Sequence, residues 1–206
     1  PSEKVSSGRE LRRCFICGNS AFACARNESH PYEILVKTIE QKSEEYFREH
    51  YPWKIAETAC RALLCEAAAT PKPGLVDRQS TGAHSDMDFF SFINSSAALF
   101  RTFYVMAQRG YDFRGDEISG IFDSLKKTGI EGEKEMLAAT GGINTHKGLI
   151  FSLGLMSAAA GYLCARHGEK ITADKICLSA SRIISPHVSD YLSRLAVQRF
   201  GMQIFN

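Results

Sequence analysis

The chain has 206 residues, enough for one core with a small appendage, and its 44% hydrophobic and 23% charged content is that of a globular protein. A net charge of +2 supplies no strong field for polyanions, which sets nucleic acid aside as a partner. Seven cysteines, odd in number and unevenly spread, argue for a reducing compartment over a disulfide framework. With no basic-then-apolar export pattern at the N-terminus, the expected location is the cytoplasm.

Residues 1–13 are polar. The first compact stretch is CFICGNSAFACARNESH, in which Cys14 and Cys17 form a C-x2-C knuckle followed by Cys24 and His30. Three thiols and one imidazole match the donor set of a tetrahedral structural zinc site, although the second half lacks the paired spacing of common zinc modules. The alternative is a cysteine-lined turn packed on the next helix. That helix is expected from Pro31, a residue suited to the first helical position, to about Glu49 and His50. Pro52 marks the expected boundary between an appendage, 1–50, and a main domain, 51–206. A second helix follows from Trp53 to Ala69, with Ile55, Ala59, Ala62 or Leu63, and Ala67 as its buried stripe and Pro71 as its stop.

The polar stretch TPKPGLVDRQSTGAHSDMD, from Thr70 to Asp88, suits neither a core strand nor an amphipathic helix. Lys72 lies between two prolines and is held extended, while Gly74 and Gly82 relieve the turns. A loop carrying Lys72, Asp77, Arg78, His84, Asp86 and Asp88 suits a phosphorylated ligand with a divalent ion; an ordinary polar connection is the competing reading.

Beyond it, Ser85 or Asp86 is expected to cap a helix from Met87 to Arg109, with Phe89, Ile93, Ala97, Phe100 and Tyr104 inward and Gly110 as its stop. Asp116 to Lys127 reads as a shorter helix ended by Gly129, and Glu131, Glu133 and Glu135 lead into Met136 to Thr140. A second polar knot, GGINTHKG, places Gly141, Gly142, Asn144, Thr145, His146, Lys147 and Gly148 before an apolar helix, Leu149 to Arg166, with Gly168 as its stop. A glycine-rich loop feeding a helix N-terminus is a recurrent anion site, although a capping loop with an incidental Lys and His has the same composition. The apolar helix is short and rich in small residues for a membrane span, so it is read as buried and no membrane partner is expected. Thr172 to Ile184 closes the regular part, with Pro186 as breaker. No strand-rich region appears, so the expected fold is mainly α: a helical, bundle-like domain with a small Cys-rich N-terminal appendage.

Together, TPKPGLVDRxxxGAHxDMD and GINTHKGxIFSLGL resemble the triphosphoribosyl-dephospho-coenzyme A synthases, over roughly Trp53 to Ile184. The N-terminal RRCFICGNSAFACARNESHPYEIL resembles the C-terminal tail of apo-citrate lyase phosphoribosyl-dephospho-coenzyme A transferase, so the chain resembles the junction of a fused transferase–synthase. The resemblance implies a glycosyl transfer in the making of the citrate lyase prosthetic group: ATP gives its triphosphoribosyl group to a ribose hydroxyl of dephospho-coenzyme A, and adenine leaves. It also implies a functional link to the acyl carrier protein of citrate lyase.

On that reading Lys72 and Lys147 grip phosphates with Arg78 assisting, and the glycines at 74, 82, 141, 142 and 148, with Asn144 and Thr145, shape the substrate site. Asp77, Asp86 and Glu133 are candidates for magnesium ligand or base, and His84 or His146 for protonating adenine or orienting the ribose. The family's later Gly-Glu-Ala-Glu and Gly-Asp-Thr-Asn strings do not occur in this sequence. The last residues, from Val188, also leave the family's text, which suggests a shortened synthase. The alternative function is therefore a truncated, non-catalytic nucleotide-binding fragment of a fused protein.

Overall fold

The computed structural model describes residues 12–146 and 148–200, with side chains described to residue 188. It divides into two compact units between Phe47 and Arg48. In the first unit the chain doubles back at Gly18, whose φ of +73° suits a residue without Cβ. The amide of Cys14 donates to Asn19 O at 2.7 Å, and Arg13 and Ser20 form one antiparallel bridge. Ser20 caps α1 (Ala21–Arg26), accepting from the Ala23 amide at 3.4 Å.

Helix α2 (Tyr32–Ala68) contains Pro52, so the two helices expected on either side of this proline are one. A proline's fixed φ is already helical and only one backbone bond is lost. Burial offsets that loss, because Pro52 is among the most deeply buried of the described residues. From Pro52 onward the helix buries Ala56, Ala59, Cys60, Leu63 and Ala67 at near-helical spacing.

The expected helix from Met87 to Arg109 is two helices, α3 (Phe89–Ala98) and α4 (Phe100–Asp112), jointed at Leu99. Its cap is Asp88, not Ser85 or Asp86: the Asp88 carboxylate accepts from the Ser91 amide at 2.8 Å, and Ser91 Oγ accepts from the Asp88 amide at 3.2 Å. The buried stripe is Ser95, Ser96, Leu99, Thr102, Phe103, Met106 and Ala107, displaced from the expected one; Ala97 faces out. Serines enter the core because each hydroxyl finds a carbonyl: Ser95 and Ser96 both donate to Phe92 O, at 3.1 and 2.7 Å.

After a 3₁₀ turn (Ile118–Ile121), α5 (Phe122–Ala139) runs straight through Gly129, the expected stop, and through Gly132. Gly132 is needed inside the helix, since a Cβ there would sit 2.5 Å from Thr102 Oγ1 of α4. Helix α6 (Leu149–His167) ends at Gly168, as expected, and α7 (Ala173–Phe200) runs through Pro186, which does not break it. By length and composition α6 is apolar enough to cross a membrane, yet 56% of its most apolar window is buried inside the protein.

Helices α4 and α6 touch backbone to backbone. A Cβ at Gly110 would strike the carbonyl oxygen of Ala158, and one at Gly161 would strike that of Ala107. Gly110 is therefore a contact residue inside α4, not its terminator. Two apolar clusters flank this seam. One joins Ala56, Ala59, Cys60 and Leu63 to Leu99, Phe103, Met136 and Ile150; the other joins Met106, Ile121, Leu125, Leu155, Ala158 and Ile183. Among the described residues there is no strand, and the mainly helical expectation holds.

Candidate functional site

Two loops leave this helical body, 69–88 between α2 and α3 and 140–148 between α5 and α6. The first is closed on itself around Asp77, which is 5% exposed. Its Oδ2 accepts from the Lys72 amide at 3.0 Å, and its Oδ1 accepts from the amides of Gln79 and Ser80 at 2.8 and 2.9 Å. The N–H groups of Gln79, Lys72 and Ser80 hold this carboxyl below its ordinary value. Gly82 lies on the same loop's backbone; a Cβ there would be 2.6 Å from Leu75 O. Asp77 is thus the staple of the loop, with both oxygens engaged by main chain.

With its backbone fixed by Asp77, Lys72 sends its side chain, 14% exposed, back to α2, where Nζ donates to Glu66 Oε1 at 3.0 Å. His84 and Asp86 sit 3.8 Å apart on the loop's outer part. Arg78 is exposed and makes no ion pair among the described residues.

The second loop turns at Gly141 and Gly142, pinned by Thr140 Oγ1, which donates to Ile143 O at 2.5 Å. Asn144 donates to Glu133 Oε1 of α5 at 3.3 Å, while its buried Oδ1 has no hydrogen-bond partner among the described residues. His146 is 6% exposed, and its Nδ1 lies 2.8 Å from Ser95 Oγ and 3.1 Å from Thr145 Oγ1. The ring meets Phe92 edge to face at 5.2 Å. Burial pushes the imidazole below its ordinary 6.5, and the charge of Glu66 opposes that shift. His146 is therefore a neutral imidazole at pH 7, and nothing among the described residues bonds its Nε2.

Gly148 follows in the left-handed region with φ of +77° and opens α6 without a side-chain cap, so the first turn's amides keep no side-chain acceptor. Lys147 lies outside the described residues. Glu133, His146 and Gly148 share a cleft of about 200 Å³ with Lys126, Ile130 and Phe151. Glu66 pairs with Lys72 of the first loop, and its charge favours the protonated form of His146 on the second.

Of the residues expected from the sequence, Glu133, His146 and Gly148 line one cleft, with Asn144 bonded to Glu133 and Thr145 to His146. Asp77 turns into its own loop, and His84 and Asp86 pair with each other. Among the described residues, the only convergence of three or more His, Cys, Asp or Glu donors is Cys14, Cys17, Cys24 and His30, with all four ligand atoms within 4.8 Å of one another. Backbone N–H groups of Cys17 and Ile16 pull the Cys14 thiol from 9.0 to about 6. The bond to Cys17, and then burial, push Cys24 to about 11. Glu66 and Ser95 were not expected. Glu66 lies on a regular helix with no motif around it, whereas the serine pair inside the apolar run FFSFINSSAALF was a readable sign of buried polar contacts.

Family comparison places these loops in context. The family model for the ATP:dephospho-CoA triphosphoribosyl transferases matches residues 52–199, and that for the apo-citrate lyase phosphoribosyl-dephospho-CoA transferases matches residues 3–46. Protein CitXG of Leuconostoc mesenteroides subsp. cremoris is 38% identical over 171 residues, 78% of this chain and 37% of that protein. The 2-(5''-triphosphoribosyl)-3'-dephosphocoenzyme-A synthase of Haemophilus ducreyi is 36% identical over 156 residues, 76% of this chain and 47% of its own length. The synthase of the same name from Pectobacterium atrosepticum is 38% identical over 152 residues, 73% of this chain and 50% of its length. The chain thus spans half or less of each of these relatives, and no solved structure matches it. With the family model covering most of its length, the chain belongs to the ATP:dephospho-CoA triphosphoribosyl transferase family.

Proposed function

We propose that the chain binds ATP between its two polar loops and transfers the triphosphoribosyl group to a ribose hydroxyl of dephospho-coenzyme A. The bond from the ribose anomeric carbon to adenine breaks, a bond from that carbon to the hydroxyl oxygen forms, and the hydroxyl's proton is matched by one taken up by adenine. The product serves the prosthetic group of citrate lyase, and the functional partner downstream is that enzyme's acyl carrier protein. The location that suits this reaction is the cytoplasm.

The observation that carries the reading is the cleft where Glu133, His146 and the start of α6, which has no side-chain cap, meet. Positive charge builds on the ribose as adenine departs, and the Glu133 carboxylate suits that charge. His146, neutral and steered through Nδ1 by Ser95 and Thr145, suits receipt of the hydroxyl proton at Nε2. His84, beside Asp86, is the candidate donor to adenine. The α6 amides, Lys72, Lys147 and Arg78 suit the triphosphate, with Lys72 exchanging Glu66 for a phosphate oxygen. Asp77 acts by holding Lys72 in place.

An all-protein magnesium site does not fit this region, since both Asp77 oxygens are occupied and Asp86 and Glu133 do not converge. Magnesium fits only as an ion carried by the triphosphate. Zinc, if held by Cys14, Cys17, Cys24 and His30, belongs to the N-terminal unit and takes no part in the transfer.

The test is chromatography of ATP incubated with the protein. Adenine should accumulate only when dephospho-coenzyme A is present, together with an adduct of the mass of both parts. Adenine release indifferent to dephospho-coenzyme A, or none at all, sinks the proposal.

A further inference from the structure

We infer that Cys14, Cys17, Cys24 and His30 bind one zinc ion that folds the N-terminal unit, a role separate from the proposed transfer. Tetrahedral zinc with sulfur at about 2.3 Å puts neighbouring ligand atoms roughly 3.8 Å apart. Here Cys17 Sγ lies 3.4 Å from Cys24 Sγ and 3.4 Å from His30 Nε2, and all four donor atoms fall within 4.8 Å of one another. The chain delivers them from three places: the turn closed by Gly18, helix α1, and the residue before Pro31. Three thiolates with one imidazole select zinc over the oxygen-seeking magnesium and calcium, and they leave no open position for chemistry.

An independent observation asks for such a cross-link. Helix α1 has six residues and none of them is buried. A helix that short is not stable alone, and this one has no apolar face packed away to hold it. Arg12 and Arg13 border the same depression as Cys14, Cys24 and His30, so cationic side chains stand beside a site whose net charge with zinc is −1. Metal binding there is folding free energy for the unit.

Metal analysis of the reduced, full chain made in zinc-supplemented medium should give one zinc per chain. Cobalt added to chelated protein should give the visible bands of tetrahedral thiolate cobalt. Hydrogen exchange across residues 12–30 should rise when the metal is removed and fall when it returns. Cys17→Ser with Cys24→Ser should abolish both zinc and cobalt uptake, and the cobalt titration of the unaltered chain keeps the inference testable if that variant does not fold. Zinc far below one per chain without cobalt uptake overturns it. So does a Cys17–Cys24 disulfide in freshly purified protein whose exchange is indifferent to metal, or undiminished zinc in the double variant.

Discussion

His146 is held as a neutral base by its surroundings rather than by a carboxylate partner: two hydroxyls at Nδ1, the Phe92 ring at its side, and burial throughout. Because burial sets its folded pKa below 6.5, the unfolded chain takes up this proton first as pH falls. The stability contributed by the neutral ring is complete above that value and is lost on acidification through it towards the depressed folded value. Asp77 and Asp88 act in a lower window, since both are held below 3.8 and their contribution disappears only as pH falls through their folded values. The urea midpoint should therefore drop as pH falls from about 7 through 6.5 and below, and the drop should be smaller in His146→Gln. An equal drop in that variant would assign the loss to other groups.

Kinetics should separate the two kinds of site residue. His146→Ala should lower kcat by about 10²-fold or more with the KM for ATP little changed. Lys72→Ala should chiefly raise that KM, because a phosphate contact is shared by ground state and transition state. The reverse pattern removes the roles assigned to both. Lys72, Glu133 and His146 were legible as polar residues in odd company, but what each one touches was not. Asp77 reads as a catalytic carboxylate in sequence, and only the folded loop reveals three backbone amides converging on it.

At the scale of elements, the α4–α6 seam fixes where the second loop emerges. Gly110 faces Ala158 and Gly161 faces Ala107 with no space for a methyl group. An exposed helical Gly→Ala exchange stabilises by about 1 kcal/mol. At these two positions the sign should invert. Gly110→Ala or Gly161→Ala should destabilise by about 2 kcal/mol, with a fall in Tm of about 5 °C in thermal denaturation. A rise in Tm would mean the helices do not approach this closely. Here the sequence misleads in a regular way: Gly110 and Gly129, and Pro52 and Pro186, read as stops, yet all four lie inside helices. Punctuation rules describe isolated helices; tertiary contact overrides them at Gly110, where a missing Cβ permits close packing, and at Pro52, whose ring is buried, while Pro186 is exposed and continues its helix without such a contact. The starts and stops set by turn geometry, such as Gly148 before α6 and Gly168 after it, were legible because the backbone alone decides them.

For the molecule as a whole, the helical class and the order of the two polar loops follow from pattern. The junction between them does not, because it runs through Glu66, a residue in an unremarkable helical stretch. Glu66 pairs with Lys72 and its charge acts on His146, which supports the proposal that one nucleotide bridges both loops. The family relatives are two to three times longer than the matched part, so this region is a share of the protein they describe. Hydrogen exchange with and without ATP tests the central claim most directly. ATP should slow exchange together in residues 70–88 and in residues 140–152, and Lys72→Ala should weaken the protection in both. Protection confined to one segment, with the other unchanged at saturating ATP, would contradict a shared site.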